Sequence, residues 1–152
     1  MPPIQVEKNL AISPIPRRED IGSLREFFDS LLLLVMDFEV PYPLEELTDG
    51  FNVLHVPIPD FSAPSLEELI AILRWIDGEV QSGRRVLVVC AGGCGRSGTI
   101  AVAWLMFSRG LTLREALARV RRKRHCAVET AEQLILLKSL EIYLKKTKKH
   151  RE

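Results

Sequence analysis

Apolar positions along this chain fall into short runs of strand type, separated by longer stretches with helical spacing. Ile4 to Val6 and Leu10 to Ile12 flank Lys8-Asn9 and predict a short hairpin at a sheet edge, ended by Pro14 and Pro16. From Arg17 to Asp29, the recurrence of Ile21, Leu24 and Phe28 predicts an amphipathic helix. Leu31 to Met36 is a continuous apolar run of strand length, as expected of a parallel strand buried on both faces. A loop rich in acid and proline, Asp37 to Pro43, leads to a single helical turn at Leu44 to Leu47, stopped by Asp49-Gly50, and Val53 to Val56 predicts the next strand. Ser65-Leu-Glu-Glu68 is a capping box. It opens a helix with Leu66, Leu69, Ile70, Leu73 and Ile76 on one face, ended at Ser82-Gly83.

Val86 to Val89 reads as a buried strand, and Thr99 to Phe107 as a helix too hydrophobic to lie on a surface. Thr112-Leu-Arg-Glu115 is a second capping box, with Leu113, Ala116, Leu117 and Val120 as the buried stripe. A last helix is expected from about Thr130 to Lys146. Strands alternate with helices, so the predicted fold is α/β, with a mainly parallel central sheet and helices on both faces. No repeat or linker divides the chain, and a single domain is expected over residues 1–152.

Composition narrows the function classes. A formal net charge of +1 gives no global field that would select a polyanion. Two basic runs, Arg119 to Arg124 and Lys145 to Arg151, are read as solvated helix ends, the first also able to steer phosphorylated substrates. They lack the interleaved aromatic residues of a nucleic-acid surface. No apolar run approaches a membrane span and no N-terminal signal pattern is present, so a cytoplasmic protein is expected. The three cysteines are odd in number and lack metal-ligand spacing, which argues for a reducing compartment and against a disulfide framework or zinc site. Arginine outnumbers lysine 14 to 7, and asparagine plus glutamine total 5, a balance consistent with a thermophile.

The chemistry concentrates between residues 86 and 99. A strand, a loop with three glycines and a helix N-terminus make an anion site, because free backbone N–H groups and the helix dipole point into the loop. The loop opens with Cys90 and closes with Arg96, with five residues between them. A thiol in such surroundings ionises readily, and the thiolate is a nucleophile. Arg96 offers a planar fork for two phosphoryl oxygens, and Gly92, Gly93 and Gly95 let the backbone approach them. Phosphate is therefore expected against Ala91, Gly92, Gly93, Cys94, Gly95 and Arg96. Ser97 is placed to cap the helix or to donate to the Cys90 sulfur. Gly93-x-Gly95-x-x-Gly98 also matches a dinucleotide fingerprint, but the region about 20 residues on is helical rather than an acid-tipped strand. A Walker loop would need Lys where Arg96 stands.

Cys-(five residues)-Arg-Ser after a strand resembles the phosphate loop of the cysteine-based protein phosphatases. Gly95-Arg96-Ser97-Gly98-Thr99 resembles that of the tyrosine and dual-specificity members, and the chain length with His55-Val-Pro-Ile-Pro-Asp60 is similar to the short single-domain archaeal ones. Val89 stands where the family usually has His. The resemblance implies a protein-tyrosine or dual-specificity phosphatase that forms a cysteinyl-phosphate, needs no metal or cofactor, acts as a monomer and takes phosphorylated proteins as partners, with no nucleic acid or membrane involved. It implies Asp60 as general acid, and Gln133, within Ala127-Val-Glu-Thr130-Ala-Glu-Gln133, as the residue that orients the attacking water. Thr130-x-x-Gln133 is equally a capping box. If the proton came from elsewhere, Asp37, Glu39 and Glu132 would be the next carboxylates to examine. His55 is expected to be structural. A Cys90–Cys94 disulfide under peroxide is one expectation, and Cys94 merely lining the loop the other. RNA 5′-triphosphate or phosphoinositide hydrolysis by the same chemistry, and phosphate binding without turnover, remain alternatives.

Overall fold

The computed structural model describes residues 2–151, with side chains described as far as Lys148, so the side chains at the end of the second basic run are not among those described. Five strands form one sheet: β1 (Ile4–Glu7), β2 (Leu10–Ser13), β3 (Ser30–Leu33), β4 (Asn52–His55) and β5 (Val86–Val89). The order is β1-β2-β5-β3-β4, with β1 antiparallel to β2 and every other pair parallel. The predicted hairpin turns at Asn9, whose φ is 63°, and places β1 at the edge.

Side-chain alternation sorts the helices. Val86 and Val88 on β5 face a cluster built with α3 (Leu66–Gln81), α4 (Gly95–Arg109), α5 (Leu113–Lys123) and α6 (Ala131–Arg151). Leu87 and Val89 face the opposite cluster, with α1 (Ile21–Phe27) and α2 (Leu44–Thr48). The sheet is thus covered on both faces, which is what its near-continuous apolar strands require. Both capping boxes form. The Glu68 and Glu115 N–H groups each donate to the Ser65 and Thr112 hydroxyls at 3.1 Å, and both glutamates accept from the capping residue's own N–H.

Some boundaries differ from expectation. β3 ends at Leu33; the Leu34 N–H still donates to Val89 O at 2.9 Å, and the chain then passes into the 3-10 turn Asp37–Glu39. α1 is shortened by a 3-10 turn at Arg18–Asp20, and at its other end the chain is already extended by Phe28. The difference that bears on function is α4, which begins at Gly95 rather than Thr99.

Candidate active site

β5 ends at the floor of the site, and Cys90 follows with its side chain buried. Because α4 starts inside the loop, Arg96 and Ser97 lie on its first turn, and the Gly98 N–H already donates to the Cys94 carbonyl at 2.8 Å. Ser97 reaches back over the sulfur. Its N–H donates to Cys90 Sγ at 3.4 Å, and its Oγ lies 3.2 Å from the same atom.

The carbonyls from Ala91 to Gly95 are tied off on the outside. Ala91 O accepts from the Ile15 N–H at 3.3 Å, Gly92 O and Gly93 O from the Arg124 guanidinium at 2.9 Å each, Cys94 O from the Gly98 N–H, and Gly95 O from the Thr99 hydroxyl at 2.6 Å. A trans peptide points its C=O and the following N–H in opposite directions. The N–H groups from Gly92 to Arg96 are therefore turned to the inner side, the arrangement of an anion nest. Of the loop glycines, Gly93 is sterically required, whereas Gly95 is crowded only by the ends of flexible side chains. Gly93 has φ 67°, and a Cβ there would meet the Pro14 backbone nitrogen at 2.5 Å. A Cβ on Gly95 would run into the Glu129 carboxylate and sit 3.1 Å from both polar atoms of the Gln133 amide. Gly92 has open space around the corresponding position, so close packing does not demand glycine there.

Arg96 is held from the side away from the loop. Its two terminal nitrogens donate to Glu39 Oε2 and Oε1 at 2.8 Å each, and one of them also donates to Ile58 O at 2.8 Å. Burial pushes the guanidinium pKa down, but the hydrogen bonds and charge of Glu39 outweigh it and hold it above the ordinary arginine value. The same hydrogen bonds hold the Glu39 carboxyl below the ordinary carboxylate value, against an opposing push from burial. Arg96 Nε is buried and has no hydrogen-bond partner among the described residues. An orphaned buried donor costs about 1–3 kcal/mol, and a phosphoryl oxygen in the nest is the acceptor suited to it. Sequence reasoning named Glu39 only as a reserve acid. Its position as partner of Arg96 depends on the 3-10 turn at residues 37–39, which the pattern did not predict.

Asp60 comes to the same guanidinium, with Oδ1 3.3 Å from an Arg96 terminal nitrogen and the carboxylate half-exposed. Its loop is fixed by the start of α6: the Thr130 hydroxyl donates to Phe61 O at 3.0 Å and the Gln133 amide to Ser62 O at 3.2 Å. Gln133 is fully buried, and its Oε1 accepts from the Glu129 and Thr130 N–H groups. This bonding is that of the capping alternative. Glu132 is exposed. His55 Nε2 lies 2.8 Å from the Val35 carbonyl, within the scaffold under the site.

The cysteines correct two expectations. Cys94 and Cys126 form a disulfide, with Cα atoms 5.1 Å apart, and Cys90 is the free thiol. The bridge is therefore Cys94 with Cys126, not Cys90 with Cys94, and the odd cysteine count concealed it beside the expected Cys90 nucleophile. The first basic run is likewise more than a solvated face. Arg121 donates to Ala127 O and Val128 O at 2.9 Å each, and Lys123 to Gln5 O at 3.1 Å, while Arg124 holds the loop.

A buried cysteine under a helix N-terminus, an arginine seven residues into the loop and an acid from a neighbouring loop define a class. The family model described as "Dual specificity phosphatase, catalytic domain" matches residues 32–142, and the chain belongs to that family. Among solved structures, Tk-PTP in its active form is 52% identical, with a TM-score of 0.88 over 91% of this chain and 95% of that one. Dual specificity protein phosphatase 1B of Arabidopsis thaliana is 47% identical over 98 residues, 64% of this chain and 56% of its own length. The uncharacterized protein MJECL20 of Methanocaldococcus jannaschii is 38% identical over 96 residues, 62% of this chain and 59% of its own. The chain thus spans somewhat over half the length of these two relatives.

Proposed function

We propose that the chain hydrolyses phosphate monoesters of tyrosine, and of serine and threonine, in phosphorylated proteins through a cysteinyl-phosphate. The observation that carries this reading is the loop itself, with carbonyls tied outward, N–H groups turned inward and the Cys90 sulfur at its base. The inner N–H groups and Arg96 bind the phosphoryl oxygens, the preorganised electrostatic stabilisation that dominates such reactions. Cys90 Sγ attacks phosphorus as the ester P–O bond breaks, and Asp60 gives its proton to the departing oxygen. Water then attacks phosphorus, Asp60 takes back a proton, the P–S bond breaks, and the Ser97 hydroxyl and N–H stabilise the returning thiolate. No step calls for a metal. Gln133 is given no part in water activation, because its amide is committed to the α6 N-terminus and the acid loop.

Glu39 and Asp60, which both contact Arg96, are each followed or preceded by an exposed phenylalanine, Phe38 at 83% and Phe61 at 58% exposure. Apolar rings beside the mouth favour an aryl phosphate. Among the described residues no helix is long and apolar enough to cross a membrane, and the composition fits a cytoplasmic protein of a thermophile, for which we infer a single monomeric domain. The Cys94–Cys126 bridge agrees with that source, since intracellular proteins of hyperthermophiles are an exception to the rule that cytosolic proteins lack disulfides. A panel of phosphotyrosine, phosphoserine and phosphothreonine peptides, a phosphoinositide and triphosphorylated RNA, with Cys90→Ser as control, tests the reading. Turnover of phosphopeptides that vanishes in Cys90→Ser is expected. Turnover confined to the lipid or the RNA contradicts the substrate, and oxyanion binding with no turnover contradicts the activity.

A further inference from the structure

The basic run at the end of α5 contains one arginine unlike its neighbours. Arg124 is 8% exposed, whereas Arg121, Arg122 and Lys123 are exposed residues. It stands where α5 ends, with its backbone turned to an extended conformation (φ −145°, ψ 95°), and its guanidinium is directed at the outer side of the phosphate loop. Nε donates to Gly93 O and the adjacent terminal nitrogen to Gly92 O, both at 2.9 Å.

One rigid planar fork thus holds two successive carbonyls. Since the peptide unit is planar and trans, fixing those two C=O groups fixes the N–H groups of Gly93 and Cys94 on the opposite side. Gly93, at φ 67°, has the backbone freedom to flip either of its flanking peptide units, so this stretch of the loop needs an external hold. The outer carbonyls of Ala91, Cys94 and Gly95 are held by groups of the β2–α1 loop or of α4 itself; the middle two depend on Arg124.

We propose that Arg124 is a positioning residue for phosphoryl transfer, which aims the Gly93 and Cys94 N–H groups at the phosphoryl oxygens without touching substrate. The inference rests on the phosphatase reading of the same loop. It also has a favourable feature for testing. The segment that carries Arg124 is secured independently by the Cys94–Cys126 disulfide and by the two Arg121 hydrogen bonds to Ala127 O and Val128 O, so removing the guanidinium leaves the segment anchored.

The test compares Arg124→Gln, Arg124→Lys and wild type, with Arg122→Gln as a control that removes an exposed charge of the same run. Calorimetric binding of tungstate reads the oxyanion nest without turnover, and kcat/KM on an aryl phosphate, normalised to titrated active sites, reads the transition state. Arg124→Gln is expected to weaken tungstate binding and to lower kcat/KM together, each by about 10- to 100-fold, somewhat less than the loss of a direct oxyanion donor. Arg124→Lys is expected to recover part of both, because an ammonium reaches one carbonyl but not two. Arg122→Gln should leave both within about two-fold at physiological salt. A purely structural role predicts a lower melting temperature and fewer active sites, with tungstate affinity and kcat/KM per site unchanged; that result overturns the proposal. Arg124→Lys behaving no better than Arg124→Gln also overturns it. Wild-type protein that binds tungstate but lacks turnover contradicts the phosphatase reading while the binding arm still tests Arg124.

Discussion

Arg96 and Arg124 are both buried, lie on opposite sides of one loop, and do different work with the same group. Arg96, 3% exposed, faces a carboxylate partner in Glu39, and its Nε has no hydrogen-bond partner among the described residues. Arg124 meets carbonyl oxygens on the outer side of the loop, through two donors of its guanidinium. A buried charge needs compensation. Arg96 receives it from an ion pair that leaves the buried Nε–H, and beside it the second N–H of one terminal nitrogen, facing a ligand, and Arg124 gives two of its donors to the backbone that shapes the ligand's site. The contrast teaches that a phosphate loop is made by its outer bonds as much as by its inner ones, since peptide planarity ties the two together.

The largest effect that sharpens the contrast is at Arg96. Arg96→Lys keeps the charge and loses the fork, so it is expected to inactivate nearly as fully as Cys90→Ser, unlike Arg124→Lys, which keeps part of its function. Steady-state kinetics on an aryl phosphate decide it. Retention of more than roughly a tenth of kcat/KM, a loss below about 1.4 kcal/mol, would show that charge alone suffices on the inner side. Asp60→Asn comes next. It should lower kcat by about 10²–10⁴ on phosphotyrosine and phosphoserine peptides and much less on nitrophenyl phosphate, whose leaving group needs little protonation. Equal losses on both substrates would assign Asp60 to holding Arg96, which it approaches at 3.3 Å, rather than to proton transfer.

Glu39→Gln tests whether Arg96 depends on its partner as Arg124 does on the carbonyls. A loss of about ten-fold or more in kcat/KM, with KM raised, is expected from a guanidinium no longer locked in a bidentate pair. The sign of the pH effect follows from the depressed pKa of Glu39. The pair is intact above the ordinary carboxylate value of 4.5 and is lost as pH falls through the lower folded value. Acid unfolding of the wild type should therefore include a component, between 4.5 and the lower folded value, that Glu39→Gln lacks, and superimposable pH–stability curves for the two proteins would remove the pair from the account. The smallest effect on catalysis is expected from Cys126→Ser. Opening a bridge that spans 32 residues removes about 3–4 kcal/mol by chain entropy. Thermal melting should fall by roughly 5–15 °C, while kcat/KM at moderate temperature changes far less than in Arg124→Gln. The reverse ranking would make the disulfide, and not the arginine, the principal hold on the loop.

The inner side of the site was legible in the sequence and the outer side was not. Cys90, Arg96 and Ser97 lie within one strand–loop–helix unit, where local spacing dictates geometry, and the continuous apolar run of β5 already implied a strand buried on both faces. Glu39, Arg124 and Cys126 reach the loop across sequence distances of 57, 31 and 32 residues for the contacts concerned, and no local period encodes such meetings. Arg124 was hidden in a run of similar charges, where only the end of α5 and the burial of one side chain distinguish it. Glu39 was hidden in an acidic loop whose 3-10 turn lacks a strong pattern. The capping alternative for Gln133 was visible as Thr130-x-x-Gln133, and the hydrogen bonds from Glu129 and Thr130 agree with it.

The central claim is that Cys90 carries the phosphoryl group during turnover. Rapid-quench mass spectrometry of the wild-type protein, mixed with an aryl phosphate in excess, tests it most directly. The account predicts a burst of aryl alcohol accompanied by a phosphorylated peptide containing Cys90, both absent in Cys90→Ser. A phosphoryl group found on any other residue, or a burst that persists in Cys90→Ser, would contradict it.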